Sequence, residues 1–331
     1  MNRRTKVLSI ILGIVLIVLT IIGGFIMSLP KPSPPKEVTP VYVSIVSHNE
    51  EDDGRYGSLD TKEGYLEFRE NLLRFAHMLK RYNASYNWQS EMRFLRAVEK
   101  FDKGDILNST NGKNIVRYLK EDLGFEIDPH CHEVGYIEGE VYNYADVAYM
   151  LERLGVKPSK VVGGFCYWPP ELSVLEKFRE PLKAQIYNYT WKAEILWGAA
   201  TLGHSGPDDF SSGIWKPKDK YHFAEHDENS SLICVGTGSL FDNTGSWIKN
   251  LVSKIKRGEV PEGKIYTATL VMTEYEFKQG GDALFARWEN TIRELSEYAA
   301  RGEIRWVGLS ELIEVWREKY NSEPNRYVGD P

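Results

Sequence analysis

The residues best suited to chemistry lie in one short stretch, residues 125–133, which reads FEIDPHCHE. Successive side chains of a strand point to opposite faces, so Asp128, His130 and His132 would share one face and Cys131 would point the other way. Two imidazoles on one face can bind a single divalent ion, because neutral imidazole is the commonest metal ligand. The alternative is a polar strand end in which both rings hydrogen-bond to neighbouring groups.

Two other apolar runs end in side chains of the same kind. His48 ends a β-branched run at residues 41–47, and Glu50 follows two residues later. Glu274 directly follows residues 265–273, the clearest strand pattern in the C-terminal half. Since enzymes with parallel strands collect their reactive groups at the strands' carboxyl ends, these residues are candidates for one shared site.

The three histidines predict a catalytic metal centre. Three protein ligands with an open fourth position are typical of catalytic zinc sites, and imidazole suits zinc better than Mg²⁺ or Ca²⁺, which prefer oxygen. Glu50 or Asp128 is the candidate general base, or would orient an imidazole, and Glu274 is a weaker candidate acid. The predicted ligands are His48, His130 and His132.

The elements that must position these residues alternate between strand-like and helix-like patterns. This alternation over about 290 residues predicts an α/β domain, a (β/α)-barrel of about eight strands, with a doubly wound open sheet as the alternative. In a barrel the inward side chains of alternate strands share a layer, so the first and third strands converge. Ser310 is expected to cap the last helix. The predicted strands are residues 41–47, 84–89, 125–133, 161–168, 192–199, 231–236, 265–273 and 303–309.

Aromatic and histidine side chains in the loops could complete a cleft. Trp168 ends the fourth predicted strand, and His204, Trp215 and His226 lie between the fifth and the sixth. Either tryptophan could stack on a sugar ring, and either histidine could supply a proton. The alternative for each is an ordinary loop or packing residue.

The N-terminus predicts a membrane anchor. A basic leader, residues 1–6, precedes the uncharged residues 7–27, which are numerous enough to cross a bilayer core of about 30 Å as a helix. A Pro-rich linker, residues 28–40, would hold the domain at 41–331 outside the cell. A cleaved signal peptide is the alternative. The net charge of −6 and the lack of a basic cluster beyond the leader argue against nucleic acid as a partner.

The ordering of these features resembles the polysaccharide deacetylase-like family of the glycoside hydrolase/deacetylase barrel superfamily. The resemblance is carried by the first strand with its metal-type cluster, the histidine pair of the third strand, and Leu309-Ser310-Glu311 after the last strand. It implies a metal-dependent hydrolase that removes N- or O-acetyl groups from extracellular or cell-surface glycan.

Three motifs depart from the family pattern. Ser47-His48-Asn49-Glu50 stands where the family has two adjacent aspartates, and one residue rather than three separates the paired histidines. The family's late-strand histidine has no counterpart in residues 271–274. Two other functions therefore stay open: a glycosidase that uses Glu50 or Asp128 with Glu274, or a barrel that binds glycan without catalysis.

The predicted topology can be tested by protease treatment of intact cells. We expect an added protease to release the domain by cleavage in the Pro-rich linker, because that segment would be exposed outside the membrane. Immunoblotting of the cell and medium fractions is the measurement. Protection of the domain in intact cells, with cleavage only after lysis, would contradict an outward orientation.

Overall fold

Eight parallel strands, in the chain order predicted from the sequence, form the framework of the protein. The structure, a computed structural model, describes residues 39–49, 59–131, 135–163, 173–197, 210–239, 242–273 and 275–329. Each of the eight predicted strands overlaps one of the observed parallel strands, although several of the observed strands are shorter. The predicted α/β class is therefore confirmed.

The described residues form fifteen strands and eight α-helices. The strands are β1 Val41–Asn49, β2 Tyr86–Ser90, β3 Glu126–Pro129, β4 Gly135–Ile137, β5 Glu140–Tyr142, β6 Val161–Gly163, β7 Leu182–Lys183, β8 Thr190–Trp191, β9 Ile195–Trp197, β10 Ser211–Ser212, β11 Ile214–Trp215, β12 Ile233–Val235, β13 Tyr266–Thr273, β14 Ile304–Trp306 and β15 Tyr327–Val328. The helices are α1 Lys62–Arg81, α2 Met92–Phe101, α3 Ile115–Glu121, α4 Tyr144–Arg153, α5 Ser173–Lys177, α6 Ser246–Arg257, α7 Tyr275–Ala300, which is interrupted at Gly281, and α8 Leu309–Tyr320, with a 3₁₀ helix at Gly104–Thr110.

The eight parallel strands divide between two sheets and do not form the closed ladder that the sequence predicts. One sheet has the order β13-β1-β2-β3 with β14 also paired to β1, and the other has the order β11-β12-β9-β6. Backbone contacts cross both gaps between them. The backbone of His130 forms a parallel bridge with Gly163, and Thr269 N donates to Thr237 O over 2.8 Å. The sheets thus follow the strand order of a barrel without one continuous ladder.

Strand β14 takes an unexpected place beside the first strand. Val41 N donates to Glu303 O, and Val307 N donates to Val43 O, so β14 pairs with the first half of β1. Strand β2 pairs with the second half, from Ile45 onward. Strand β13 pairs with the opposite edge of β1 along nearly its whole length. The last strand, β14, is therefore an addition beside β1 and does not lie between β13 and β1.

Burial explains why β1 is central and why α1 packs where it does. All nine residues of β1 are buried, as expected for a parallel strand covered on both faces. Helix α1 buries a stripe at helical spacing, and its Phe75 meets Trp288 of α7 edge to face at 5.5 Å. The Thr61 side chain accepts from Gly64 N and caps the start of α1.

The start of α8 corrects one expectation. Gly308, not Ser310, is the N-cap, and its own side chain offers no acceptor. The Glu126 carboxylate of β3 accepts instead from Leu309 N at 2.6 Å and from Ser310 N at 2.8 Å. A carboxylate at a helix N-terminus satisfies the first amide groups and stabilises the dipole, so a distant residue caps this helix.

No helix in the part of the chain that the structure describes is long and apolar enough to span a membrane. The predicted anchor at residues 7–27 lies outside the described residues.

The environment of Cys131 gives a test of the strand assignment. Its side chain is fully buried in the larger hydrophobic cluster, and its Sγ lies 3.9 Å from Tyr142 O. We therefore expect alkylation of Cys131 to be slow in the native protein and fast in denaturant, as measured by mass spectrometry of the Cys131 peptide. Equal rates in the two states would contradict this packing.

Candidate functional site

The carboxyl ends of β1, β2 and β3 bring His48, Glu91 and His130 into one buried cluster. The register aligns His48 with Gln89 and Gln89 with Asp128, so these three residues face the same side of the sheet. His130 continues that face beyond β3, and its backbone N donates to Ser90 O over 2.9 Å. Glu91 follows β2 directly and is the N-cap residue of α2. His48 is 7% exposed, Glu91 1% and His130 fully buried.

The two histidine rings stack on each other. Their centroids lie 4.1 Å apart with an angle of 26° between the planes, and the edge of Trp197 meets the His48 ring at 5.2 Å. Gly163 makes this packing possible, because a Cβ there would lie 2.5 Å from Gln89 Oε1 and 2.7 Å from the Trp197 ring. The two predicted ligands His48 and His130 are therefore brought together, as the sequence indicated.

Stacking decides how far the pair fits a metal ion. Imidazole lone pairs lie in the ring plane, so two nearly parallel rings do not converge on one ion at a bonding distance of about 2.0–2.1 Å. Among the described residues, no group of three His, Cys, Asp or Glu side chains is arranged to hold a metal. His48 and His130 as oriented here thus do not share an ion.

Glu91 and His130 fit a shared ion better. Glu91 Oε1 and His130 Nε2 are 3.8 Å apart, which is too long for a hydrogen bond. Two ligands of a tetrahedral zinc ion, each bound at about 2.0–2.2 Å, lie about 3.4 Å from one another. Two imidazoles and a carboxylate are also the ligand set of one class of catalytic zinc site. The cluster therefore fits a metal in its donor types, and the Glu91–His130 pair fits it in spacing.

Glu91 is the site residue that the sequence analysis missed. Its carboxylate makes no capping bond to the helix that it begins, so it is directed to other partners. The available signal was its position two residues after the end of a predicted strand, close to the criterion that selected His48 and Glu274. A weak strand pattern at residues 84–89 and an ordinary helix start concealed it.

Asp128 lies one step deeper than His130 and holds the sheets together. One of its oxygens accepts from Asn87 Nδ2 at 2.8 Å, and the other accepts from Val161 N of β6 at 3.1 Å. Burial, and then the nearby Glu126 charge, raise the pKa of the Asp128 carboxyl well above its ordinary value. Because both oxygens already accept hydrogen bonds in the interior, this arrangement favours a structural role over that of general base.

Two of the predicted substrate-binding residues lie in positions that do not support that role. Trp215 is 1% exposed, and its Nε1 donates to Phe223 O at 2.7 Å, so neither ring face is open to a sugar. His226 Nδ1 accepts from Lys216 N, and Pro217 bridges to His226. Since β11 runs antiparallel to β12, the chain beyond Trp215 leads away from the carboxyl ends. The predicted residues Glu50, His132, Trp168, His204 and Glu274 lie outside the described residues.

Comparison with solved structures identifies the fold. The structure of a probable polysaccharide deacetylase from Pseudomonas aeruginosa PAO1 matches with a TM-score of 0.50 and 12% identity, over 87% of this chain and 96% of that one. The chain has a polysaccharide deacetylase-like fold. The resemblance seen in the sequence is thereby confirmed for the fold, and at this identity no residue role is transferred.

Two further structures align over similar lengths. Puue allantoinase matches with a TM-score of 0.49 and 12% identity, over 88% of this chain and 94% of that chain. A putative glycoside hydrolase/deacetylase from Parabacteroides distasonis matches with a TM-score of 0.48 and 10% identity, over 87% and 74%. No protein-family model and no curated protein sequence matches the chain.

The structural role of Asp128 predicts a loss of stability when its carboxylate is removed. Asp128→Ala would leave the buried Asn87 amide and Val161 N–H without their acceptor, which we expect to lower the free energy of unfolding by about 2–4 kcal/mol. Urea unfolding followed by circular dichroism measures this, with Asp105→Ala on the exposed 3₁₀ helix as the control. A stable but inactive Asp128→Ala protein would instead return Asp128 to the list of catalytic candidates.

Proposed function

We propose that this protein is a metal-dependent hydrolase of polysaccharide deacetylase type, which removes acetyl groups from glycan. The observation that carries the proposal is the buried group of Glu91, His130 and His48 at the carboxyl ends of three adjacent parallel strands. Active groups of barrel enzymes lie at this end. The polysaccharide deacetylase-like fold supports the reaction class.

The donor types of Glu91 and His130 and their separation of 3.8 Å support a metal at this position. A divalent ion bound here would act as a Lewis acid toward a carbonyl oxygen and would lower the pKa of a bound water molecule to near neutral pH. Zinc is the expected ion, because the donor set mixes imidazole with carboxylate.

The remaining side chains of the cluster position these two groups. Ser90 O accepts from the backbone of His130, and the Asn49 amide donates to Ser90 Oγ at 3.0 Å, so the ends of β1, β2 and β3 are tied together. His48 is held against His130 by stacking and against Trp197 by an edge contact. It is therefore placed to carry a proton near the proposed ion. Glu50 as base and Glu274 as acid complete the proposed set.

We place the domain outside the cell, held by a helix at residues 7–27. The uncharged run after a basic leader and the Pro-rich linker support this location. An external glycan is the corresponding substrate. A hydrolase of this type cleaves the amide or ester bonds that attach acetyl groups to the amino or hydroxyl positions of the glycan.

The metal site itself is the sharpest test of the proposal. We expect the purified full-length protein, prepared without chelators, to contain about one zinc per chain by elemental analysis. Glu91→Gln and His130→Ala should each weaken zinc binding by more than the roughly 10–100-fold typical of outer-shell changes. Glu99→Gln, which changes an exposed carboxylate of the same helix α2, should bind zinc normally.

The matching activity assay is the release of acetate from acetylated glycan, with and without chelator. We expect release to stop with the chelator and to return with zinc. Metal-free protein that takes up no zinc on titration would overturn the metal site. Cleavage of glycosidic bonds without acetate release would favour the glycosidase, and tight glycan binding without turnover would favour a binding protein.

A further inference from the structure

The end of strand β13 lies beside His48 of the candidate site. The two strands β13 and β1 pair in register, so Thr273 is the neighbour of His48 at the strand spacing of about 4.8 Å. Neighbours in a parallel pair point to the same side of the sheet. One step deeper, Val271 is paired with Val46, and both are buried in the smaller hydrophobic cluster. The Thr273 side chain therefore lies on the same side as the His48 ring, at the carboxyl ends of the strands.

A carboxyl group contacts this threonine. Thr273 Oγ1 donates to Glu276 Oε1 over 3.3 Å, and Glu276 is half-buried. Burial raises the pKa of the Glu276 carboxyl, against smaller opposite effects of the Thr273 hydroxyl and the Arg287 charge. A carboxylate in the first turn of a helix that faced solvent would instead be stabilised as the anion by the helix dipole. Glu276 thus differs from an ordinary helix cap, because its carboxyl is shielded from solvent beside the strand end.

A break in helix α7 sets the position of Glu276. Gly281 has φ 50° and ψ −144°, so the helix is kinked between residues 275–280 and its longer remainder. A Cβ at Gly281 would meet no atom within 4 Å, so the positive φ angle, and not packing, favours glycine there. Phe277 fixes the first segment, because its ring stacks on Phe285 at 4.2 Å and meets Phe75 at 5.0 Å. The segment that carries Glu276 is therefore oriented separately from the rest of α7.

We propose that Glu276 is the proton donor of the hydrolysis and replaces Glu274, the weaker candidate, in that role. This inference rests on the proposed function. Water attacks the acetyl carbon, and the base takes one of its protons. The bond from that carbon to the glycan nitrogen or oxygen breaks with its electron pair, and the leaving atom takes the proton of Glu276. The products are acetic acid and a free amino or hydroxyl group. The base then loses its proton to solvent and Glu276 regains one.

Position and protonation both suit Glu276 to this step. An amide or alkoxide anion is too basic to leave near neutral pH, so the leaving atom needs a proton donor. A carboxyl can serve as that donor when burial raises its pKa toward the working pH, as it does for Glu276. The strand order β13-β1-β2-β3 also puts Glu276 on one side of His48, and Glu91 and His130 on the other. A substrate bound over His48 would therefore have the proposed ion on one side and the acid on the other.

The test compares two substrates of the full-length protein, acetylated glycan and para-nitrophenyl acetate. The glycans are glycol chitin, which carries N-acetyl groups, and acetylated xylan, which carries O-acetyl groups. The para-nitrophenolate ion leaves without a proton, so only the glycans need an acid. We expect Glu276→Gln to lower kcat for acetate release from glycan by about 100-fold or more and to leave para-nitrophenyl acetate hydrolysis and zinc content nearly unchanged. The control is Glu289→Gln, an exposed carboxylate further along α7, which should leave both rates unchanged.

Each outcome supports or overturns the acid role. A loss in Glu276→Gln that is confined to the glycans supports it. Equal loss on both kinds of substrate, loss of bound zinc, or wild-type acetate release by Glu276→Gln overturns it, and the proposed hydrolase then stands without this acid. A loss confined to the glycans in Glu274→Gln, with Glu276→Gln active, returns the role to Glu274. No acetate release from either glycan by the wild type overturns the proposed function and the acid role with it.

Discussion

The backbone of His130 is the constraint on which the site and the framework both depend. Its N–H donates to the end of β2, and its parallel bridge to Gly163 joins the five-stranded sheet to the four-stranded one. The side chain that stacks on His48 is therefore carried by a residue that helps to join the sheets. Because Gly163 faces Gln89 and Trp197 closely, any side chain there would force this junction apart. His130 thus contributes its side chain to the candidate site and its backbone to the junction of the two sheets.

Below that junction, the interior is polar where a barrel is usually aliphatic. The Gln89 amide donates to Asn87 Oδ1, and the Asn87 amide donates to Asp128, which also accepts from the backbone of β6. Buried polar groups cost free energy unless their partners are complete, and then they select one arrangement over its near alternatives. This chain of hydrogen bonds aligns β2, β3 and β6, the same strands whose ends carry Glu91, His130 and Gly163. The polar interior thus sets the positions of the groups above it.

Glu126, at the opposite end of β3 from His130, forms a third connection. Its carboxylate caps α8, the helix that follows the last strand, so β3 is connected to the C-terminal helix as well as to the site. Residues 126, 128 and 130 share one face of β3 and serve three different purposes: helix capping, sheet alignment and the candidate reaction centre. Polar side chains at alternate positions of a strand stabilise such contacts only when they are shielded from solvent, because water would otherwise compete for each hydrogen bond.

The sequence by itself determined the local elements and two of the three residues of the cluster. Hydrophobic periodicity depends on neighbouring residues, so all eight parallel strands and the amphipathic helix α1 could be predicted, as could the meeting of His48 and His130. Tertiary structure decided what depends on distant partners. The pairing of β14 with β1 beside β2 depends on which backbone edge is open, and the cap of α8 comes from residue 126, far from the helix in sequence. Glu91 lies in the site because β2 ends beside β3. Trp215 lies outside the candidate cleft because it is buried in β11, which runs antiparallel to β12. Local composition predicts neither pairing, because strands of equal β-propensity are equally good neighbours. Which strands pair is decided only when the sheets assemble.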